Sequence, residues 1–404
     1  MNSYKLKFLF TLFFILYFTI LHSQTWIQIN DFPSTERDDG VSFVIGSNAY
    51  CGTGFKSGFV ETGDFYFLNM NTDTWETISS LPSGEERQYA SGFSSSTHGF
   101  VFGGVKSGVY LNDTWRYDPI VNNWIETTPL PDVGRSGAAS FVIGDTAYII
   151  GGKTLSNNAI NGVWAYDMNT DTWQQKNDFP FGMRYRASAS AVNDKGYLTF
   201  GIDENNVFQN KLYAYDPVLD EWTLKSTFPE IGRMHSTLST LLNRLIVVGG
   251  KDSTNHYYND LWRFNFSNST WEELNSLPSI GRKGGWCFNN GTNLYYTTGI
   301  NQQNTRLKET WKCEHPLSVK EETQEVGFSL HPNPAGKTLF LTLNKYTPNQ
   351  EVRLSINDSF GKKIYNGSIT ESKSKIDISN VAKGVYFVCI QANENIQVMK
   401  FVKK

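Results

Sequence analysis

The chain contains short apolar runs separated by polar turns, and one stretch, residues 135–177, illustrates the unit. Its four apolar-rich runs lie at 137–143, 147–150, 163–166 and 172–174. Glycine and aspartate separate the runs, and the 3.6-residue spacing of an amphipathic helix is missing from the unit. Short runs bounded by such turn residues are typical of β-strands. The pattern therefore predicts four short strands in each unit.

The unit repeats with a period of 49 residues. Tryptophan falls at one phase of the fourth run in every copy: Trp26, Trp75, Trp124, Trp173, Trp222 and Trp271. A second aromatic series has the same period, and a glycine closes the second run of each copy. Periods of 20–50 residues indicate repeat architectures, and four strands per repeat are typical of propeller blades. We therefore predict an all-β fold with a six-bladed β-propeller over residues 24–314.

The phase of the repeat also predicts how the propeller closes. The sixth copy lacks a tryptophan strand, because the expected position is Lys320. The missing strand is present at the other end of the propeller, around Trp26. We expect this N-terminal strand to complete the last blade, which removes the exposed sheet edges that invite aggregation.

Several local motifs resemble Kelch repeats. They are double glycines, Tyr-Asp-Pro turns and Leu-Pro or Phe-Pro leads to an arginine, found at residues 103–104, 151–152, 249–250, 117–119, 215–217, 130–131, 228–229 and 277–278. Three copies depart from the double glycine, at Gly54, Gly201 and Gly299. The resemblance implies a Kelch-type propeller whose partners bind around the mouth of the central channel.

Residues 1–23 have the features of a secretory signal peptide. Lys5 and Lys7 precede an apolar run from Phe8 to Leu21, and the small residue Ser23 follows. Spanning a bilayer needs about 20 apolar residues, so this run is too short for a membrane anchor. We expect cleavage after Ser23 and no transmembrane segment in the mature chain.

After a predicted linker at 315–325, residues 326–404 contain short alternating strands that predict a small β-sandwich. This segment resembles the type A sorting domain of the type IX secretion system of Bacteroidetes-like bacteria. The matching residues are Pro332-Asn333-Pro334, the Asp358–Gly361 turn, Asp377-Ile378-Ser379, Lys383-Gly384-Val385-Tyr386 and the basic end at Lys400, Lys403 and Lys404. The resemblance implies engagement of the secretion machinery and a protein that is secreted or attached to the outer-membrane surface. An accessory sandwich that binds sugar or cell wall is the alternative.

The net charge of the propeller argues against one class of partner. The chain has a net charge of −3, and its propeller is net acidic whereas residues 320–404 are net basic. Binding nucleic acid needs clustered basic residues, so the acidic propeller argues against that partner. We expect the propeller to bind a glycan, a peptide or a surface protein.

The candidate ligand-binding residues lie in the blade-to-blade loops and in the loops between second and third strands, which share one face. An arginine recurs in the first set, and a histidine and three aromatics are added from these loops: Arg37, Arg87, Arg135, Arg184, Arg233, Arg282, His235, Tyr110, Phe208 and Tyr257. A ring of arginines suits a carboxylate or another anion, and aromatics beside amides suit a sugar or a peptide. The alternative is that the arginines only bind backbone carbonyls and hold adjacent turns together.

The main hypothesis is therefore an exported or cell-surface binding module rather than an enzyme, with no cofactor, no metal and no catalytic residues. Some Kelch-like propellers are enzymes, so the alternative is a carbohydrate-active enzyme. A galactose-oxidase-like copper site would need a cluster of His and Tyr ligands, which the scattered histidines do not supply. A sugar mutarotase or epimerase needs only a positioned acid and base. Its candidates near the mouth are Glu36, Asp38, Asp39, Glu85, Glu86, Glu230 and His235.

Overall fold

The structure, a computed structural model, describes residues 24–156, 158–314, 316, 328–343, 352–358, 362–392 and 395–404. The predicted signal peptide, most of the predicted linker and part of the Asp358–Gly361 turn lie outside these residues. The chain forms two compact units, one ending at Ser318 and the other beginning at Val319.

Every regular element in the described ranges is a β-strand. A helix long and apolar enough to cross a membrane is accordingly not found among them.

The first unit contains six antiparallel four-stranded sheets, as the repeat predicts. Five follow in chain order: blade 1 is Val41–Ile45, Asn48–Gly52, Phe65–Asn69 and Thr74–Ile78; blade 2 is Ser91–Ser94, Gly99–Phe102, Thr114–Asp118 and Asn123–Thr127; blade 3 is Ala139–Ile143, Thr146–Ile150, Val163–Asp167 and Thr172–Lys176; blade 4 is Tyr185–Val192, Lys195–Ile202, Lys211–Asp216 and Glu221–Thr227; blade 5 is Thr237–Leu241, Arg244–Val248, Leu261–Asn265 and Thr270–Leu274. The prediction of four short strands per unit is confirmed in these five blades.

Blade 6 combines the two ends of the propeller. Its strands Trp286–Asn289, Leu294–Thr297 and Thr310–Glu314 are joined by the N-terminal strand Thr25–Ile29, which pairs antiparallel with Thr310–Glu314. The buried Gln24 side chain strengthens this junction, because its amide accepts from the Asn275 backbone N–H at 2.9 Å and donates to the Asn275 carbonyl at 3.0 Å. The N-terminal strand therefore completes the last sheet, as expected from the repeat phase.

The periodic tryptophans connect neighbouring blades. The indole N–H of Trp75, Trp124 and Trp173 donates to a backbone carbonyl of the preceding blade's outer end, at 2.8–3.0 Å from Asn30, Ser79 and Thr128 respectively. Trp26 does the same to Asn275 across the N- and C-terminal junction of the propeller. Second strands such as Thr146–Ile150 are buried on both faces, so they read as continuous apolar runs.

The second unit has two sheets facing a common core. One contains Phe328–His331, Thr338–Leu343 and Lys373–Asp377, and the other contains Val352–Asp358, Lys363–Ile369, Gly384–Ala392 and Asn395–Lys403. Alternate residues of the strands form the core, including Leu339, Leu341, Leu354, Ile356 and Val388. This arrangement is a small β-sandwich, as the alternating pattern predicts.

An arginine is buried where each blade of the propeller begins. The six side chains are at most 2% exposed: Arg37, Arg87, Arg135, Arg184, Arg233 and Arg282. In five blades the guanidinium donates to a backbone carbonyl 16 residues later, for example from Arg233 to Gly249 at 3.3 Å. Burying a charge is costly unless it is paired, and four of the arginines pair with an acid just before the third strand: Asp64, Asp113, Asp260 and Glu309.

Blades 3 and 4 lack that acid, because Gly162 and Lys211 occupy its position in the repeat. Arg135 pairs instead with Asp132 in the preceding loop. Arg184 has no carboxylate within ion-pair distance among the described residues, and it donates to the Phe181 carbonyl at 3.1 Å and lies over the Phe179 ring. Five of the six buried arginines are therefore paired with an acid, and Arg184 of blade 4 is the exception within the described residues.

Removing one acid tests this pairing. Asp260 accepts two hydrogen bonds from Arg233 at 2.7 Å each, so Asp260→Ala leaves a buried guanidinium unpaired. We expect a loss of about 3–5 kcal/mol in the free energy of unfolding, measured by urea denaturation. The exposed Glu76 on blade 1 is the control, and Glu76→Ala should change stability by less than about 0.5 kcal/mol. Equal effects of the two substitutions would contradict the account.

Candidate functional site

A ring of six residues surrounds the mouth of the central channel, one from each blade. Each lies two positions after a buried arginine and has a left-handed backbone, with φ between 52° and 64°: Asp39, Tyr89, Gly137, Arg186, His235 and Gly284. Four of them are not glycine, and such residues cost of order 1–3 kcal/mol each in this conformation. Backbone strain of this kind concentrates at functional sites. We call these six residues the channel mouth.

Backbone hydrogen bonds link the channel mouth into a complete circle. Each ring N–H donates to the carbonyl of its neighbour at 2.7–3.3 Å, in the order 39 to 284, 284 to 235, 235 to 186, 186 to 137, 137 to 89 and 89 to 39. The left-handed backbone turns each N–H toward the adjoining blade. The circle therefore fixes the positions from which the ring side chains extend.

Two acids and a histidine meet at one side of the mouth. His235 Nδ1 lies 3.0 Å from Asp39 Oδ1, and the His235 side chain is only 9% exposed. Lys283 Nζ lies 3.4 Å from Asp39 and 3.5 Å from Asp38, and Arg306 Nε lies 2.6 Å from Asp38. His235 Nε2 is buried without a hydrogen-bond partner in the described part of the chain. One nitrogen of the imidazole thus lies beside a carboxylate oxygen, and the other has no partner among the described groups.

Burial and neighbouring charges shift the pKa values of His235, Asp38 and Asp39 in different directions. Burial lowers the pKa of His235 to about 4 against the pull of Asp39, and it raises the pKa of Asp38 to about 7 with help from neighbouring Asp39. Burial alone also raises the pKa of Asp39, but His235 and Lys283 overcome it and hold that pKa well below its usual range. At neutral pH His235 is therefore uncharged, with Nδ1–H toward the Asp39 carboxylate and a lone pair on Nε2.

The rest of the mouth is cationic. The Arg186 guanidinium stacks on the Tyr89 ring at 4.7 Å and donates to Met234 Sδ at 3.8 Å, and no described carboxylate lies within ion-pair distance of it. Burial and the Arg186 charge together lower the pKa of Lys153, and burial with Lys283 and Arg186 lowers that of Lys251. This corner of a net acidic propeller therefore carries unbalanced positive charge.

A cavity of about 140 Å³ opens at the mouth and is lined by Asp39, Tyr89, Arg186 and His235 together with the small residues at 137, 284 and 285. Within the described residues no group of three or more His, Cys, Asp or Glu side chains is arranged to hold a metal ion. The cavity is thus lined by the donor groups of Arg186 and by the acceptors of Asp39 and His235, with room for a small polar group.

The six arginines named from the sequence do not line this cavity. They lie beneath the ring, at most 2% exposed, and their guanidinium groups are occupied inside the blades. Because the arginine side chains are themselves almost fully buried, a ligand cannot contact them in this structure without rearrangement of the blades. Their contacts with backbone carbonyls agree with the alternative interpretation of the sequence, in which the arginines hold adjacent turns together.

The other sequence-based candidates are divided between two places. His235 is in the ring, whereas Tyr110 lines a separate, larger cavity of about 610 Å³ between blades 2, 3 and 4. Phe208 and Tyr257 are half-buried at the ends of their loops, and Lys251 Nζ lies 5.8 Å from the Tyr257 ring. The structure therefore does not bring the predicted aromatics together into one site.

The larger cavity is an apolar groove, which we define by Val109, Tyr110, Val133, Leu155, Ile160 and Met183. Its rim is open to solvent, with Leu155 75% exposed and Val109 57% exposed. Beyond the groove, further large apolar side chains are exposed on the two kinds of loop to which the groove belongs, mostly in other blades: Phe59, Val60, Phe181, Val207, Ile231 and Ile280. Exposed apolar side chains that gather on one face mark interaction sites more often than isolated ones do.

The pH dependence of stability tests the buried histidine. Because the folded pKa of His235 lies below its ordinary 6.5, the unfolded chain binds more protons between pH 6.5 and 4, and stability is lost as pH falls through this window. Asp38 acts in the opposite direction, since its folded pKa is raised. The advantage of the native chain over His235→Gln should therefore shrink by about 2–3 kcal/mol from pH 7 to 4.

Urea unfolding at the two pH values measures this change. His256→Gln is the control, because His256 is exposed in a loop of blade 5, and it should leave the pH profile unchanged. A profile for His235→Gln that parallels the native one would show that the imidazole is not buried uncharged.

In the comparison with known protein families, each of the two units matches a different family model. The KLHDC2/KLHL20/DRC7 Kelch-repeats domain matches in three overlapping copies, over residues 13–181, 82–237 and 127–299. The secretion system C-terminal sorting domain matches residues 329–404. Among solved structures, that of YjhT matches at 18% identity and a TM-score of 0.61, covering 70% of this chain and 95% of that one. A search of curated proteins found no match.

These matches confirm the Kelch-type propeller and the type IX sorting domain predicted from the sequence. The likeness to YjhT supports the fold alone, because the identity is low. The sorting domain indicates secretion, with attachment at the cell surface. The Kelch matches together extend over more than half of the sequence. The chain therefore belongs to the Kelch-repeat family, as an exported member with a C-terminal secretion sorting domain.

Proposed function

We propose that the protein is an exported binding module that holds a protein partner, a peptide or a surface protein, against the loop face of its propeller. The loop face is the side that carries the channel mouth and the apolar groove. The observation that carries the proposal is the groove, where several aliphatic side chains from three blades are exposed on rigidly anchored loops. Burying such a surface is worth roughly 25 cal/mol per Å², which favours a partner with apolar side chains.

The chemistry of the groove favours protein over glycan. Sugars are usually bound by flat aromatic faces with hydrogen-bonding groups at the edge. The groove instead has aliphatic walls, and Tyr110 is its single aromatic side chain among the described residues. Phe208 and Tyr257 lie outside it. The glycan alternative from the sequence therefore has less support than a peptide or a surface protein.

The channel mouth supports a second candidate function, a sugar mutarotase or epimerase. The structure brings Asp38, Asp39 and His235 together out of the seven acid–base candidates. The neutral imidazole lies 3.0 Å from the Asp39 carboxylate, and the preceding carboxyl in the chain, that of Asp38, has its pKa raised to about 7, which suits proton transfer at neutral pH. Catalysis of anomer exchange by the purified protein would distinguish this candidate from the binding module.

Site-specific photo-cross-linking tests the binding module on cells that export the protein. A photoreactive residue at position 155, in the groove, should give adducts whose mass spectra identify protein, and Val133→Asp in the same chain should reduce them at least fivefold. The matched control places the photoreactive residue at 120, which is 92% exposed in a turn of blade 2 outside the groove.

We expect no specific adduct at position 120. Equal adducts at positions 120 and 155, adducts unaffected by Val133→Asp, or adducts made only with glycan would contradict the proposal. Expression and folding of each variant are checked by its thermal unfolding midpoint, so that a lost adduct is not mistaken for a misfolded chain.

A further inference from the structure

The channel mouth has the properties of a small-anion site that is distinct from the apolar groove. Two independent observations point to a ligand there. The first is His235, a polar side chain more than nine-tenths buried that lines the cavity and whose Nε2 has no hydrogen-bond partner among the described groups. The second is Arg186, whose guanidinium lines the same cavity and is stacked on Tyr89 but is not paired with any described carboxylate.

The local charge balance leaves Arg186 as the free cation of the cavity. Asp39 is occupied by Lys283 at 3.4 Å and by the Nδ1 side of His235 at 3.0 Å. Asp38 is occupied by Arg306 at 2.6 Å and by Lys283. Nothing comparable balances Arg186, although it is near enough to Lys153, Lys251 and His235 to disfavour their protonated forms. An anion placed on Arg186 would relieve this repulsion as well as fill the bonding capacity of the guanidinium.

The hydrogen-bonding capacity of the His235 imidazole indicates a second group on the ligand. With Nδ1–H directed at Asp39, Nε2 presents a lone pair and can only accept a hydrogen bond while the ring is neutral. Its natural partner is a hydroxyl. Because Arg186 and His235 line one cavity of about 140 Å³, the anionic group and the hydroxyl must lie close together in the same small ligand.

We propose that the channel mouth binds a hydroxycarboxylate, with the carboxylate on Arg186 and the neighbouring hydroxyl donating to His235 Nε2. The cavity accommodates a free hydroxy acid of a few carbons or the acid-bearing end of a sugar acid. Both sources present the same carboxylate and hydroxyl pair. This binding goes beyond the proposed function, because neither residue lines the groove that holds the protein partner.

Saturation-transfer NMR on the purified chain tests the proposal with four probes. Lactate and gluconate carry a carboxylate with a hydroxyl on the next carbon, propionate lacks the hydroxyl, and glucose lacks the carboxylate. We expect lactate or gluconate to bind, propionate to bind about tenfold more weakly than lactate, and glucose not to bind. Binding of lactate alone would identify a free hydroxy acid as the ligand, and binding of gluconate alone would identify a sugar acid.

Variants connect the binding to the two named residues. Arg186→Gln should weaken the bound acid at least tenfold, whereas His235→Gln should remove the advantage of the hydroxy acid over propionate without removing propionate binding. Arg244→Gln is the control, because Arg244 lies in blade 5 and bonds only the neighbouring Asn243 carbonyl. If Arg186→Gln does not fold, Arg186→Lys gives the readout, because it keeps the positive charge but loses the paired donors that match a carboxylate, so the bound acid should still weaken.

The proposal is overturned if neither hydroxy acid binds, if glucose binds as well as gluconate, or if binding survives Arg186→Gln unchanged. It is also overturned if His235→Gln weakens lactate and propionate equally, since the imidazole would then have no role in hydroxyl recognition. None of these outcomes depends on the photo-cross-linking at position 155, so a failure here would leave the proposed protein-binding function standing.

Discussion

The burial of a positively charged arginine at the start of each blade is the constraint on which the propeller depends. A guanidinium with no access to water must donate its hydrogen bonds to acceptors in the protein. In blade 5 these are a carbonyl just after the second strand and an acid just before the third. In the four blades that have both contacts, the arginine therefore joins the loop that enters the blade to the middle of that blade. Two residues later the chain turns left-handed and meets its neighbour, which closes the circle of hydrogen bonds at the channel mouth.

The buried arginine position stabilises each blade, and the position two residues later supplies the side chains of the channel mouth. The arginine position is the same in every blade because each blade needs the same internal bonds. The ring position is free to differ, and it holds an acid, a tyrosine, an arginine, a histidine and two glycines. The two glycines leave space where the other four side chains converge, so the small cavity forms on the axis. The apolar groove arises in the same way, since the variable loops project from anchored strands.

The sequence was sufficient for the fold because blade packing is periodic. Tryptophan every 49 residues revealed the phase, and the phase alone placed the N-terminal strand in blade 6. It did not reveal whether a periodic arginine faces solvent or core, because a buried and an exposed arginine look alike in one sequence. A second series with the same period, the acids Asp64, Asp113, Asp260 and Glu309, was the available signal that these arginines are paired. The pairing of Asp39 with His235 depends on ring geometry across blades, which no local spacing encodes.

Arginine-selective modification with phenylglyoxal, followed by peptide mass spectrometry, tests the central claim most directly. The account predicts that Arg186 reacts in the folded protein whereas Arg37, Arg87, Arg135, Arg184, Arg233 and Arg282 are protected, and that all seven react after unfolding in urea. Reaction of the six at the same rate as Arg186 in the folded protein would contradict it. That result would show that the periodic arginines are exposed, and they would then be the candidates for binding an anion or a partner.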